Sequence, residues 1–284
     1  MSEIKLSLFA SAVRPHLWKE LLDSLKGNKY PYEVIFSGFI DEELWEPYAK
    51  EYPEFKYIQT NDIKPAQCYE AARQACTGNL VCWCADDCRF SEGFVDKVVD
   101  WFTHLGEVLQ KSYILSCRTN ENNMNETMLN HRFFGRNQNT PIMSPLGVIR
   151  RDKLEEMGGF DKRYICGQYE NDVAMRMWSE GGQIIIFNDV CITIDHKNSH
   201  GSETNFWSGY NEDREQLENS WVIGGYKEPP KQMLILPFKP GDPPPYWYFP
   251  INNTEVTLKR NDTFVPYDDK DLLIKSQEPA GKWK

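Results

Sequence analysis

Two adjacent carboxylates, Asp86 and Asp87, follow directly on the apolar run Leu80 to Cys84. Paired acids after a buried strand mark either a solvent-filled site, where a carboxylate holds a divalent cation, or a turn in which Asp bonds its own backbone. A second acidic group, Glu170 and Asp172, opens a stretch carrying Val173, Met177 and Trp178 at helical spacing. Acids in a first helical turn are stabilised by the helix dipole, so a capping role is the alternative for Asp172. Asp195-His196 follows the apolar run Cys191 to Ile194, where a His either binds metal or meets a backbone carbonyl. Acids after one strand, acids at a helix start and a His after a later strand are expected to converge at one edge of a sheet. The chemistry that uses this set is displacement at a carbon bonded to a diphosphate. A metal neutralises the leaving phosphates, worth several kcal/mol, and a carboxylate takes the proton of an attacking hydroxyl, worth roughly 10²- to 10⁴-fold in rate.

The elements that must position these groups alternate along the chain. Ile4 to Ala10 reads as a strand, followed by Pro15 and by Trp18, Leu21, Leu22 and Leu25 on one helical face, with Gly27 at the exit. Glu33 to Phe36, Lys56 to Ile58 and Leu80 to Cys84 read as further strands, Ala66 to Cys76 and Glu92 to His104 as helices. Strand Tyr113 to Cys117 follows, then an Asn-rich stretch, Thr119 to Thr140, that reads as a long acceptor-side loop. Strand Leu146 to Ile149, helix Arg151 to Met157, helix Asn171 to Glu180 and strands Gln183 to Phe187 and Cys191 to Ile194 complete the pattern. Short apolar strands alternating with amphipathic helices predict an α/β fold, a mostly parallel central sheet with helices on both faces. We divide the chain into a domain over residues 1–225 and a Pro-rich extension over 226–284, with Pro243-Pro244-Pro245 and Tyr246 to Phe249, laid over the body.

The 284 residues are enough to bury a core without a staple. A net charge of −10 lacks the cations that a nucleic-acid partner requires. No apolar run reaches the roughly 20 residues of a membrane helix, and residues 1–8 lack a signal-peptide core, so a soluble, cytoplasmic protein is expected. The 8 cysteines are therefore expected to be free thiols. Cys82 and Cys84 alternate within an apolar strand, as small hydrophobes do, rather than forming a zinc site with Cys88.

At these residues the chain resembles glycosyltransferases of the GT-A fold, the family 2 group in particular, over about residues 4–205. The resemblance is carried by Ser144 to Asp161, which ends in Gly158-Gly159-Phe160-Asp161, and by Gly167 to Arg176 with its acids ahead of the Arg. It implies a metal-dependent enzyme that moves a sugar from a nucleoside-diphosphate sugar, UDP-sugar favoured, to a hydroxyl of a glycan or other acceptor, with inversion. By the same resemblance Ala85-Asp86-Asp87 stands at the family's DxD position, Asp87 binding Mn²⁺ or Mg²⁺ with His196, and Asp86 contacting ribose or supporting the metal. His200 is the second candidate for the metal-binding His. Glu170 aligns with the catalytic base, where Asp is more frequent in the family, and Asp172 is the next candidate. Ser11, Arg14, Lys64 and Gln67, with Arg73, fall in segments that approach the donor. The family's acid after the second strand is replaced by Ser37-Gly38.

Two other readings fit the same residues. Ala85 in place of the family's first acid, and the altered end of the second strand, suit a nucleotide-sugar or carbohydrate-binding protein without turnover. A nucleotidyltransferase would use the same metal to activate a triphosphate. Trp83, Tyr169, His131 and Arg132 are the residues to inspect for sugar and acceptor contacts, with core packing the alternative for Trp83.

Overall fold

The computed structural model describes residues 5–60, 64–121, 129–134, 146–194, 203–223, 233–238, 258–268 and 271–272. The chain begins with β1 (Leu6–Ser11), a 3-10 turn at Pro15–Leu17, α1 (Trp18–Ser24), β2 (Tyr32–Gly38), α2 (Glu42–Glu51), β3 (Phe55–Gln59), α3 (Pro65–Gln74), β4 (Leu80–Trp83) and β5 (Cys88–Phe90). It continues with α4 (Phe94–Thr103), α5 (Glu107–Gln110), β6 (Tyr113–Glu121), β7 (Leu129–Phe134), β8 (Gly147–Arg150), α6 (Arg151–Glu156), α7 (Tyr169–Ser179) and β9 (Gln183–Ile194). It closes with α8 (Glu203–Ser220), β10 (Trp221–Ile223), β11 (Met233–Phe238) and β12 (Leu258–Arg260).

Period-two alternation explains why the first strands are buried on both faces. Leu6, Leu8 and Ala10 of β1 join Val34 and Phe36 of β2 and Leu80 and Cys82 of β4 in one core. Phe9, Ile35, Val81 and Trp83, the intervening positions, join the core on the opposite face. α4 covers the first face with Phe94, Val95, Val98, Val99 and Phe102, and α7 covers the second with Val173, Ala174 and Met177. Each fully buried Leu, Val or Phe contributes about 1.5–3 kcal/mol to this arrangement. Cys82 and Cys84 lie in the first core beside Leu8, and burial pushes both thiols up from their ordinary range. None of the eight cysteines is in a disulfide.

Sheet order among the described residues is β11-β7-β6-β8-β4-β1-β2-β3, with β9 beside β6 and β5 beside β9. The expected parallel arrangement holds over β4-β1-β2-β3 and again between β6 and β9. β8 enters antiparallel between β4 and β6, so the sheet is mixed beyond β4. β9 is one strand where the sequence reads two, because residues 188–190 form an irregularity opposite Cys117 and Arg118.

The stretch expected to be a loop from Thr119 to Thr140 holds the end of β6 and all of β7. Asn-rich composition hides a strand whose hydrogen bonds are supplied by β6 and β11. Within the C-terminal 59 residues, β11 pairs with β7 in the main sheet and β12 pairs with β10. Pro243 to Pro245 and Tyr246 to Phe249 lie outside the described residues, and no described helix is long and apolar enough to cross a membrane.

Candidate active site

β4 ends beside β1 because the two strands pair in parallel, Leu6 with Leu80 through Phe9 with Trp83. Cys84 N then donates to Phe9 O at 3.0 Å, and Cys88 N to Ala85 O at 3.2 Å, which closes a turn around Asp86 and Asp87. The backbone turns here, and the Asp86 side chain reaches across to the loop after β1. It accepts from Val13 N and Arg14 N, each at 3.1 Å, and from Arg14 Nε at 2.9 Å. A further bond comes from Arg14 Nη2, and Trp18 Nε1 lies at 3.5 Å. Arg14 Nη1 stands 3.2 Å from Asp87 Oδ2.

Both acids are buried, Asp86 at 2% exposure and Asp87 at 6%. Burial works against the Arg14 charge, but Asp86 and Asp87 outweigh it and hold the guanidinium protonated more firmly than usual. The loop after β1 and the turn after β4 are thus one electrostatic unit.

The end of β2 is shaped by Gly38. A Cβ there would lie 2.4 Å from Ala12 O and 2.5 Å from the Tyr57 hydroxyl, so the position opposite Ala12 admits no side chain. Tyr57 donates to Ala12 O at 3.0 Å and stacks on Trp45 with ring centroids 5.5 Å apart. Ser11 pairs in register with Ser37 at the ends of β1 and β2.

Glu170 lies in the first turn of α7, half-buried, with Oε2 out of solvent. Tyr69 links the start of α7 to the acidic turn. The Tyr69 hydroxyl donates to Cys84 O at 2.6 Å, and its ring lies 4.9 Å from that of Tyr169, the residue before Glu170. Phe160 packs on both, its ring 6.5 Å from Tyr69 and 5.0 Å from Tyr169.

The other candidates are placed differently. Asp172 is fully buried and accepts from Arg176 Nε at 2.9 Å, Trp221 Nε1 at 2.9 Å and Arg260 Nη1 at 3.0 Å. Arg260 also pairs with Asp161 at 2.6 Å, so Asp172 belongs to a buried ion network that ties α7 to β12. Arg73 is held by Glu70 at 2.8 and 2.6 Å in a buried pair below Phe160, whose N–H donates to Glu70 at 3.2 Å. Gln67 accepts from Lys64 N at 2.8 Å at the start of α3 and donates to Asp271 O at 3.1 Å. These contacts give Arg73 and Gln67 structural partners.

β9 ends at Ile194, paired with Cys88, the residue after Asp87. His196, Asp195 and His200 lie outside the described residues, and so do the side chains of His131 and Arg132. Among the described residues no group of three or more His, Cys, Asp or Glu could hold a metal. A buried carboxylate at a strand end nonetheless fits a hard divalent cation, which takes one or two protein carboxylates and completes its shell with substrate phosphates.

Sequence reasoning missed Tyr69 and Asp213. Asp213 on α8 accepts from the backbone N–H of Ile165, Cys166 and Gly167, each at 2.7 Å. Burial nevertheless pushes its carboxyl up from the usual range, against the pull of the Cys166, Ile165 and Gly167 amides. Tyr69 falls in a stretch whose pattern reads as a helix, whereas Asp213 lies in α8, whose largely polar residues carry no apolar stripe.

No protein-family model and no curated protein matches this chain. Solved structures do. The crystal structure of S. aureus TarS 1-349 aligns over 68% of this chain and 60% of that one, with a TM-score of 0.54 and 16% identity. A mannosyltransferase from Pyrobaculum calidifontis, PcManGT, in complex with GDP-Man and Mn²⁺, aligns over 76% of this chain and 61% of that one, with a TM-score of 0.52 and 16% identity. GalNAc-T7 with UDP, GalNAc and Mn²⁺ aligns over 68% of this chain and 44% of that one, with a TM-score of 0.52 and 12% identity. The chain has the GT-A fold of these glycosyltransferases.

Proposed function

We propose that this GT-A-fold chain is a glycosyltransferase that moves one sugar from a nucleoside-diphosphate sugar, a UDP-sugar first among them, to a hydroxyl of a glycan or other acceptor. The observation that carries the reading is the Arg14-Asp86-Asp87 cluster at the end of β4, joined through Tyr69 and Tyr169 to Glu170. Structural neighbours that contain UDP, UDP-GlcNAc or GDP-Man support it at the level of the fold.

Asp87 would hold a divalent metal, Mn²⁺ or Mg²⁺, with His196 as the second protein ligand, and the metal would supply charge stabilisation to the leaving diphosphate. Asp86 sets the loop after β1 and, through it, the Arg14 guanidinium, whose charge would offset the negative charge that accumulates on the leaving diphosphate. Glu170 accepts the proton of the acceptor hydroxyl as its oxygen bonds to the sugar's anomeric carbon. The bond from that carbon to the diphosphate oxygen breaks, and its electron pair leaves with the nucleoside diphosphate. Attack from the face opposite the leaving group inverts the anomeric centre. Asp172 takes no part in this step, since its oxygens already accept from Arg176, Trp221 and Arg260.

A second reading, a nucleotide-sugar-binding protein without turnover, is favoured by Gly38 and Tyr57, which leave no room for an acid at the end of β2. A thermal-shift panel of UDP, GDP, CDP, dTDP and ADP, each with and without Mn²⁺, followed by donor cleavage, separates the two. Saturation at 100 times Kd adds about 2.7 kcal/mol. Metal-dependent stabilisation with donor cleavage supports the transferase. Stabilisation without cleavage supports the binding protein, and no shift with any nucleotide removes both.

A further inference from the structure

Gln168 is the one non-glycine residue with positive φ among the described residues, at 62°. It immediately precedes α7 and stands two residues before Glu170. A left-handed backbone at Gln is strained and persists only where its surroundings over-determine it. They do so here from two sides.

Asn171, 1% exposed, donates from Nδ2 to Gln168 Oε1 at 2.8 Å, which ties the turn to the helix it starts. From the other side, the buried carboxylate of Asp213 takes the three consecutive N–H groups of residues 165–167, each at 2.7 Å. α8 lies tight against that backbone. A Cβ on Gly209 would come 3.1 Å from both Cys166 Sγ and Ile165 Cγ2, and one on Gly167 would come 3.0 Å from the Tyr210 ring. Ile165 O in turn accepts from Ala66 N at 2.9 Å, fixing the same segment to the start of α3.

Resting on the reading of Glu170 as the base, we propose that Asp213 and Gln168 are positioning residues: the Asp213 clamp on residues 165–167 forces the left-handed turn at Gln168, and that turn aims Glu170 at the acceptor hydroxyl. A helix that merely needed a start would use an ordinary extended N-cap at no strain. A strained one held by a buried carboxylate fixes the direction of the first-turn side chains, which is what a base requires, since a misplacement of about 1 Å can cost 10²-fold in rate.

The test uses the full chain with Mn²⁺, UDP-glucose and UDP-GlcNAc as donor probes and water as acceptor. UDP release, the Kd for UDP and Tm are measured for wild type, Glu170→Gln, Asp213→Asn and Gln168→Gly. Glycine adopts φ near 62° without strain, so Gln168→Gly keeps the fold even if Asp213→Asn does not, but it removes the Oε1 that Asn171 Nδ2 holds and leaves the turn free to move away from that angle. The expected result is a 10- to 100-fold fall in UDP release for Gln168→Gly and Asp213→Asn, with the Kd for UDP within twofold of wild type. A merely structural role would lower Tm and UDP affinity together with the rate. Wild-type release in both positioning variants, with Glu170→Gln slow, overturns this proposal alone. Wild-type release in Glu170→Gln overturns the base assignment and this proposal with it, and no release by the wild type removes the transferase reading itself.

Discussion

Arg14 bridges Asp86 and Asp87: its Nε donates to Asp86 Oδ1 at 2.9 Å while its Nη1 stands 3.2 Å from Asp87 Oδ2. One side chain from the loop after β1 thus neutralises two adjacent buried acids, and 72 residues separate the partners Arg14 and Asp86. Replacing Arg14 with Ala leaves two carboxylates side by side without their cation. We expect a loss of about 1–3 kcal/mol, or a few degrees in Tm, in metal-free buffer. Mn²⁺ should restore more of that loss in Arg14→Ala than it adds to the wild type. Equal Mn²⁺ effects on the two proteins in a thermal melt would separate Arg14 from the metal position.

Arg260 reaches from β12 into a buried set of acids, 3.0 Å from Asp172 and 2.6 Å from Asp161. Its truncation to Ala removes one of two cations from each fully buried carboxylate, since Asp161 keeps Arg163 at 2.7 Å and Asp172 keeps Arg176 at 2.9 Å. Losing charged hydrogen bonds of this kind costs about 1.5–3 kcal/mol. Denaturant unfolding of Arg260→Ala should show that loss with an unchanged slope, whereas a change under about 1 kcal/mol would mean the network is relaxed by water.

Glu33 gives the molecule an acid limb. Burial alone would raise its pKa, but bonds from Ser7, Lys5 and Thr77 overcome this and hold it down to about 2. A carboxylate depressed in the folded state stabilises the protein above its unfolded pKa and loses that contribution as pH falls through the folded value. Stability should therefore decline between about pH 4.5, the ordinary value, and about pH 2. Ser7 Oγ donates to Glu33 at 2.6 Å, so Ser7→Ala should move the decline to higher pH in Tm-against-pH profiles. An unmoved limb would assign the acid sensitivity to other groups.

Gly38 is required by space rather than by backbone angle. Gly38→Ala places a methyl group 2.4 Å from Ala12 O, and the loop after β1 must shift to accept it. Overpacking of this kind costs about 1–3 kcal/mol. Because Ala12 leads directly into Val13 and Arg14, the substitution should also weaken nucleotide binding in calorimetry. Wild-type stability and affinity together would show that the two strand ends part freely.

Much of this architecture was legible from period alone. Leu6, Leu8 and Ala10 against Phe9, and Leu80 and Cys82 against Val81 and Trp83, sort to the two faces as alternation demands. The helix with Phe94, Val98, Val99 and Phe102 announced itself by its stripe. α2 did not, because Pro47 inside it reads as a breaker, and α8 did not, because its residues are largely polar. β7 lay in an Asn-rich stretch whose strand state comes from its neighbours β6 and β11.

The site divides along the same line. Asp86, Asp87 and Glu170 were legible as acids at a strand end and a helix start. That Asp86 would face Arg14 and that Asp172 would be spent on Arg176, Trp221 and Arg260 depends on contacts between distant segments, which carry no local pattern. Nor does a left-handed Gln168, since glutamine has no preference that marks it.

The most direct test of the account is UDP release from UDP-glucose and UDP-GlcNAc by the full chain in Mn²⁺, compared with Asp87→Ala at matched Tm. We predict release that requires the metal and is lost in Asp87→Ala while the fold is kept. Release at the same rate in Asp87→Ala, or nucleotide binding with no cleavage of either donor, would contradict the assignment of Asp87 and the transferase reading respectively.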